Sequence, residues 1–271
     1  MENLPEVSVL ELALESGWLT IWFNQPKSRN PLTDDMRSEL LSVLDAVRDD
    51  RRIRGITLRG KGGFFCAGGD LKSFKLLASG AASRQSTIQM SSDIGKLLAA
   101  VNSMPQLVVA LVEGAAIAGG FGLACCADIV LCERKARFAM TETAIGLSPA
   151  QIAPYVIQKL GYPTARKLML TAARFDGDGA FKLGFADELG DDTAALEQKE
   201  AALKAQLQQC APGAVADSKA LILALNGVTD TNQVIDIAAN NFADRVQSSE
   251  ALEGISSFFE KRSPAWVSSD T

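Results

Sequence analysis

Three short segments of the chain combine glycines, small residues and a carboxylate in ways that could do chemistry. The first runs Phe64-Phe65-Cys66-Ala67-Gly68-Gly69-Asp70-Leu71, where glycines let a backbone turn sharply and approach a ligand closely. An ordinary surface turn would have the same composition, and the spacing fits neither a Walker A motif nor a dinucleotide fingerprint. The second, Glu113 to Ala124, has glycines at 114, 119, 120 and 122 at a predicted helix start. Free amide N–H groups and the positive end of the helix dipole there suit a developing oxyanion, whereas close helix packing would need the same small residues. The third, Phe138 to Pro149, places Glu142 just past a predicted strand among apolar neighbours. Desolvation there would raise a carboxylic acid's pKa, as a general acid or base requires; a solvated loop glutamate is the alternative.

Histidine is absent from the whole chain, which excludes Ser-His-Asp and Cys-His nucleophile systems and histidine-ligated metal sites. Proton transfer near neutral pH then falls to carboxylates, Lys, Tyr, Cys or bound water. The five cysteines, Cys66, Cys125, Cys126, Cys132 and Cys210, have no metal-finger spacing and are odd in number, so reduced and mostly buried thiols are expected. A net charge of −5 argues against a general nucleic-acid binder. No apolar run is long enough to cross a bilayer, and the N-terminus lacks a secretion signal's basic and apolar regions, so a cytoplasmic location is expected.

The elements that must position these segments follow from periodicity. Residues 6 to 23 alternate about Ser16-Gly17, which predicts a hairpin. Thr33 caps a predicted helix to about Arg48, with Met36, Leu40, Leu41, Leu44 and Val47 at helical spacing. Buried strands are expected over 53–58, 107–112, 129–132 and 136–140, with helices over 86–102 and about 120–127. Strands alternating with crossover helices imply an α/β class. From residue 193 the strand signals vanish and helices are expected over 193–210, 213–225, 231–246 and 249–262. This divides the chain into an α/β core, 1–192, and a helical region, 193–271.

Taken together, the three segments resemble the crotonase (enoyl-CoA hydratase/isomerase) superfamily, and the resemblance covers nearly the whole chain. Asn24-Gln25-Pro26-Lys27-Ser28-Arg29-Asn30-Pro31-Leu32 and the stretch from Gly254 to Trp266 add to it. The resemblance implies a spiral of ββα units with C-terminal helices that build trimers or a dimer of trimers. It also implies an acyl-CoA substrate and no separate cofactor or metal, coenzyme A being part of the substrate. By the same resemblance, the Ala67 and Gly119 N–H groups hold the thioester oxygen and Glu142 transfers the proton. Cys66, Gly68, Gly69 and Asp70 line the adenine pocket, and Lys27, Arg29 and Lys261 meet the phosphates. Gly120, Gly122, Gln151 and Phe259 complete the implied binding set.

One position departs from the family pattern. Typical hydratases have two glutamates twenty positions apart; the second falls on Glu142 and the first on Gly122, which has no side chain. The expectation is a lost charge and open space beside the acyl chain. The stretches Pro149 to Ile157 and Leu170 to Asp176 resemble those of hydratases acting on branched glutaconyl-CoA thioesters, isohexenylglutaconyl-CoA or 3-methylglutaconyl-CoA. A Δ3,Δ2-enoyl-CoA isomerase, which needs one carboxylate, is the alternative. A non-catalytic thioester- or RNA-binding protein on the same fold ranks below both.

Overall fold

The computed structural model describes residues 4–80 and 82–267. The hairpin is present as β1 (Leu10–Glu15) and β2 (Trp18–Phe23), paired antiparallel with Leu10 opposite Phe23. Thr33 caps α1 (Asp34–Val47) by accepting from the Met36 N–H. The next strand, β3, lies at Gly55–Gly60 rather than 53–58, because a turn closes from Ile53 N–H to the Asp50 carbonyl. α2 (Leu71–Ala78), α3 (Arg84–Asn102), β4 (Leu107–Val112), β5 (Ala115–Ile117) and α4 (Gly119–Cys125) follow. Then come β6 (Ile129–Glu133), β7 (Arg137–Ala139), α5 (Ala153–Leu170), β8 (Arg174–Asp176), α6 (Gly177–Lys182) and β9 (Glu188–Gly190).

The larger sheet has order β1-β2-β3-β4-β6-β9, parallel from β2 onward, and the smaller has order β5-β7-β8. Successive ββα units give one strand to each sheet and return through a helix: β4-β5-α4, then β6-β7-α5. The segment after β3 joins the small sheet through a single bridge, Cys66 to Ala116, before α3 returns. Alternate residues of β4 face opposite cores. Val108, Ala110 and Val112 join the main core, while Val109 and Leu111 pack with Leu131, Leu196 and Leu207 on the other face.

Sequence periodicity does not anticipate α2, the strands β5, β8 and β9, or the helices α5 and α6. Each of the three strands is only three residues long, too short for an alternation signal. α5 is broken at Gly161, whose φ is 73°, with Pro163 two residues on, so its periodicity is interrupted.

The C-terminal helices are α7 (Thr193–Gln208), α8 (Pro212–Leu225), α9 (Thr231–Val246) and α10 (Ser249–Glu260). Buried polar contacts tie them to the sheet. Arg59 of β3 binds Glu113 at 2.7 Å and Glu197 of α7 at 2.9 Å, under the Trp22 ring. Lys219 of α8 pairs with Asp128 and donates to the Gln106 carbonyl at 2.7 Å. Burial depresses the Lys219 pKa, against the pull of the Asp128 charge. Lys219→Met should cost about 3 kcal/mol by leaving Asp128 without its cation. Urea unfolding of the two proteins measures it.

Candidate active site

The site begins where two backbones run almost in contact. Cys66 pairs with Ala116: its N–H donates to the Ala115 carbonyl and its carbonyl accepts from Ile117. A Cβ on Gly68 would lie 2.7 Å from the Ile117 carbonyl oxygen, and one on Gly120 would lie 2.4 Å from that of Cys66. Gly68 also has φ +89°. Glycine is required here for both space and backbone angle.

Ala118 turns the chain from β5 into α4 at φ 50°, ψ −119°, a strained angle for a residue with a side chain. Its N–H donates to the Ala139 carbonyl at 2.7 Å and its carbonyl accepts from Gly122 at 3.0 Å, so both ends are held. The Gly119 N–H that follows opens α4 without a partner among the described residues. The Gly69 N–H likewise carries no hydrogen bond there, and a Cβ on Gly119 would lie 3.6 Å from the Gly69 nitrogen. Two unspent backbone donors thus stand side by side, as stabilisation of a developing oxyanion requires.

This corrects the sequence assignment of Ala67. The Ala67 N–H is spent on the Arg29 carbonyl at 2.9 Å, and Gly69 has the unspent N–H beside Gly119. The commitment of Ala67 has a visible cause. Asn30 is fully buried; its Nδ2 donates to the carbonyls of Lys61 (3.0 Å) and Phe64 (2.6 Å), and its Oδ1 accepts from Gln25 N–H (2.8 Å). These bonds lock the 25–30 loop against the glycine-rich loop and bring the Arg29 carbonyl to Ala67. The Arg29 guanidinium lies 5.8 Å over the Phe64 ring.

Glu142 precedes a short 3₁₀ turn, Thr143–Ile145, three residues after β7 ends at Ala139. Its carbonyl accepts from Ile145 and Leu147, which fixes the turn. The side-chain Oε2 is buried without a hydrogen-bond partner, and burial raises the carboxyl pKa above its ordinary value. A shift in this direction is the one a proton-transferring carboxyl needs. Cys66 does not compete for that role, since burial pushes its thiol up to about 12. Cys125, Cys126 and Cys132 are buried too and Cys210 is exposed, all as free thiols.

Gly122 does not open space. A Cβ there would meet Ile152 Cγ2 at 2.1 Å and Cβ at 2.4 Å, so the volume of the missing side chain is already filled. Ile152, which the sequence reading did not single out, is buried, while its neighbour Gln151 donates to Ser91 Oγ at 3.0 Å. Asp70 directly precedes α2. Lys27 is the middle residue of a 3₁₀ turn, Pro26–Ser28, that is capped by Arg29. Phe259 is 77% exposed on α10, Lys261 is its left-handed cap, and no hydrogen bond or ion pair joins either to the glycine cluster among the described residues.

Two measurements test this geometry. Gly122→Ala should cost about 1–3 kcal/mol by overpacking against Ile152, and should couple favourably with Ile152→Gly in a double-mutant cycle. Glu142 binds its proton more tightly folded than unfolded, so its ionisation weakens the fold as pH rises past the ordinary value of 4.5. Glu142→Gln should therefore melt higher than the parent at pH 7, with the difference closing below about pH 4.

Comparison with known proteins agrees with this arrangement. The family profile described as enoyl-CoA hydratase/isomerase matches residues 14–269. A protein of Thermus thermophilus named putative enoyl-CoA hydratase is 32% identical over 252 residues, covering 93% of this chain and 98% of its own. The solved structure of Pseudomonas aeruginosa AtuE superposes with a TM-score of 0.91 at 44% identity, over 96% of this chain and all of that one. An enoyl-CoA hydratase/isomerase from Marinobacter aquaeolei gives 0.89 at 34% identity, over 96% and 99%. The crotonase-like α/β architecture is therefore shared, and the chain belongs to the enoyl-CoA hydratase/isomerase family.

Proposed function

We propose that this enzyme adds water across the double bond of an α,β-unsaturated, branched glutaconyl-type CoA thioester. The observation that carries the reading is the unpartnered, buried Glu142 Oε2 in a chain that also leaves the Gly69 and Gly119 amides unspent. The water oxygen bonds to C3, electrons move onto the thioester oxygen, and the enolate rests on the two N–H groups. Glu142 then delivers its proton to C2 as the enolate electrons form the C2–H bond and the thioester carbonyl is restored, and the proton shed by the attacking water returns to the Glu142 carboxylate. Each such amide is worth about 2.7–4 kcal/mol in the transition state.

The substrate class follows from position 122. An apolar isoleucine stands where the first glutamate of a typical hydratase would reach from position 122, so no protein charge there repels a thioester that carries its own carboxylate. That distal carboxylate, or a water held by polar groups, takes over orientation of the attacking water. Cys66 to Asp70 line the adenine pocket, and Lys27, Arg29, Phe259 and Lys261 receive the nucleotide end. Leu252, Ile255, Phe258 and Phe259 on α10 are 52–79% exposed, an apolar face that supports assembly as a trimer or a dimer of trimers.

One observation favours a second reading. With Ile152 in the carboxylate's place, Glu142 alone could shuttle a proton between C2 and C4, as a Δ3,Δ2-enoyl-CoA isomerase does.

Purified enzyme should hydrate 3-methylglutaconyl-CoA or an isohexenyl analogue and act poorly on crotonyl-CoA. Loss of conjugated-thioester absorbance, with the product identified by mass, reads this out. Migration of the double bond in a 3-enoyl-CoA, without water addition to any glutaconyl thioester, would establish the isomerase instead. Glu142→Gln should cut kcat by about 10²–10⁴-fold while coenzyme A affinity stays at the parent value.

A further inference from the structure

α3 has a single glycine among its nineteen residues, Gly95, well inside the helix. Glycine is among the least favourable residues for a helix interior, so its presence calls for a reason. A Cβ on Gly95 would meet Gln151 Oε1 at 2.4 Å, Cδ at 3.1 Å and Nε2 at 3.8 Å, and these are its three nearest atoms. The Gln151 amide therefore packs against the helix with its Oε1 foremost, in the space that Gly95 leaves. One turn earlier, Ser91 accepts from Gln151 Nε2 at 3.0 Å.

The next residue does the same thing to a different helix. Ile152 rests on Gly122 of α4, with Cγ2 only 2.1 Å from where a Cβ would stand. Two consecutive side chains ahead of α5 are thus keyed onto two glycines, one on α3 and one on α4. Gly122 lies one turn along α4 from the unspent Gly119 N–H. Ile152 therefore packs on α4 one turn from that amide, and its neighbour Gln151 is pinned to α3.

We propose that Gln151 is a positioning residue: its amide, seated on Gly95 and Ser91, locks Ile152 over Gly122 and so sets the shape of the acyl site. Its effect on selectivity rests on the acyl-CoA reading; its effect on the local backbone does not. The lock exploits chemistry that an apolar side chain at 151 would lack, since the Ser91 hydroxyl fixes the direction of the amide as well as its contact. Polar directionality at one residue thereby determines where the apolar neighbour stands.

Gly95→Ala evicts the Gln151 amide without touching Gln151, and the clash is with the end of a flexible side chain, so the helix survives. The test compares Gly95→Ala, Gln151→Ala and the double variant with the parent. Each single change should shift the ratio of kcat/KM for branched over straight-chain 2-enoyl-CoA by about 10-fold, the worth of a methyl-sized change in a pocket wall. The double variant should match either single one, because both remove the same lock. Amide hydrogen exchange over residues 146–152 should quicken in all three variants, with α3 unaltered and Gly95→Ala melting no lower than the parent. An unchanged selectivity ratio in an active Gly95→Ala enzyme, or unchanged exchange over 146–152, would overturn the proposal. If the parent turns over no thioester, the acyl-CoA reading fails, and the exchange measurement alone still decides whether the lock exists.

Discussion

Everything in this site depends on how closely the chain at Cys66–Gly69 passes the chain at Ile117–Gly120. The approach is too tight for a side chain at Gly68 or Gly120, and it leaves Gly69 and Gly119 with amides that bond to no other protein group among the described residues. The two sheets exist in a form that makes this possible. β3 and β4 lie parallel in the larger sheet, and their continuations meet in the smaller one through the Cys66–Ala116 bridge. The strained Ala118 is the cost of turning from β5 into α4 within one residue, and bonds at both its N–H and its carbonyl hold it there.

The treatment of charge sets Glu142 apart. Arg59 is buried against Glu113, Lys219 against Asp128, and Glu200 accepts from the Thr57 hydroxyl. Those groups are satisfied, as burial of charge demands. Among the described residues, the side-chain oxygens buried without a partner belong to Gln25, Gln106 and Glu142, and only the last is ionisable. The fold carries the burden of an unmatched carboxylate at Glu142, and nowhere else among these groups.

Position 122 shows how a missing side chain can mislead. Gly122 reads as a void, but Ile152 occupies it, so the site has exchanged a carboxylate for a hydrocarbon wall rather than gaining room. The same packing couples α4 to the segment before α5, and through Gln151 to α3. The packing here joins residues far apart in sequence that meet over glycines.

The sequence by itself determined the α/β class, the hairpin, α1, β4 and the four C-terminal helices, because those elements repeat an apolar period long enough to read. It also pointed to the glycine loops and to Glu142, since few residue types could do chemistry in a chain without histidine. Only the tertiary structure decided which amides are free. The resemblance pointed to Ala67, two residues before Gly69, yet the Ala67 N–H is consumed by the Arg29 carbonyl that buried Asn30 holds in place. Likewise only the fold brings Ile152 to Gly122 and Gln151 to Gly95. A hydrogen bond or a filled cavity is a relation between two places in the chain, and a local pattern records only one of them.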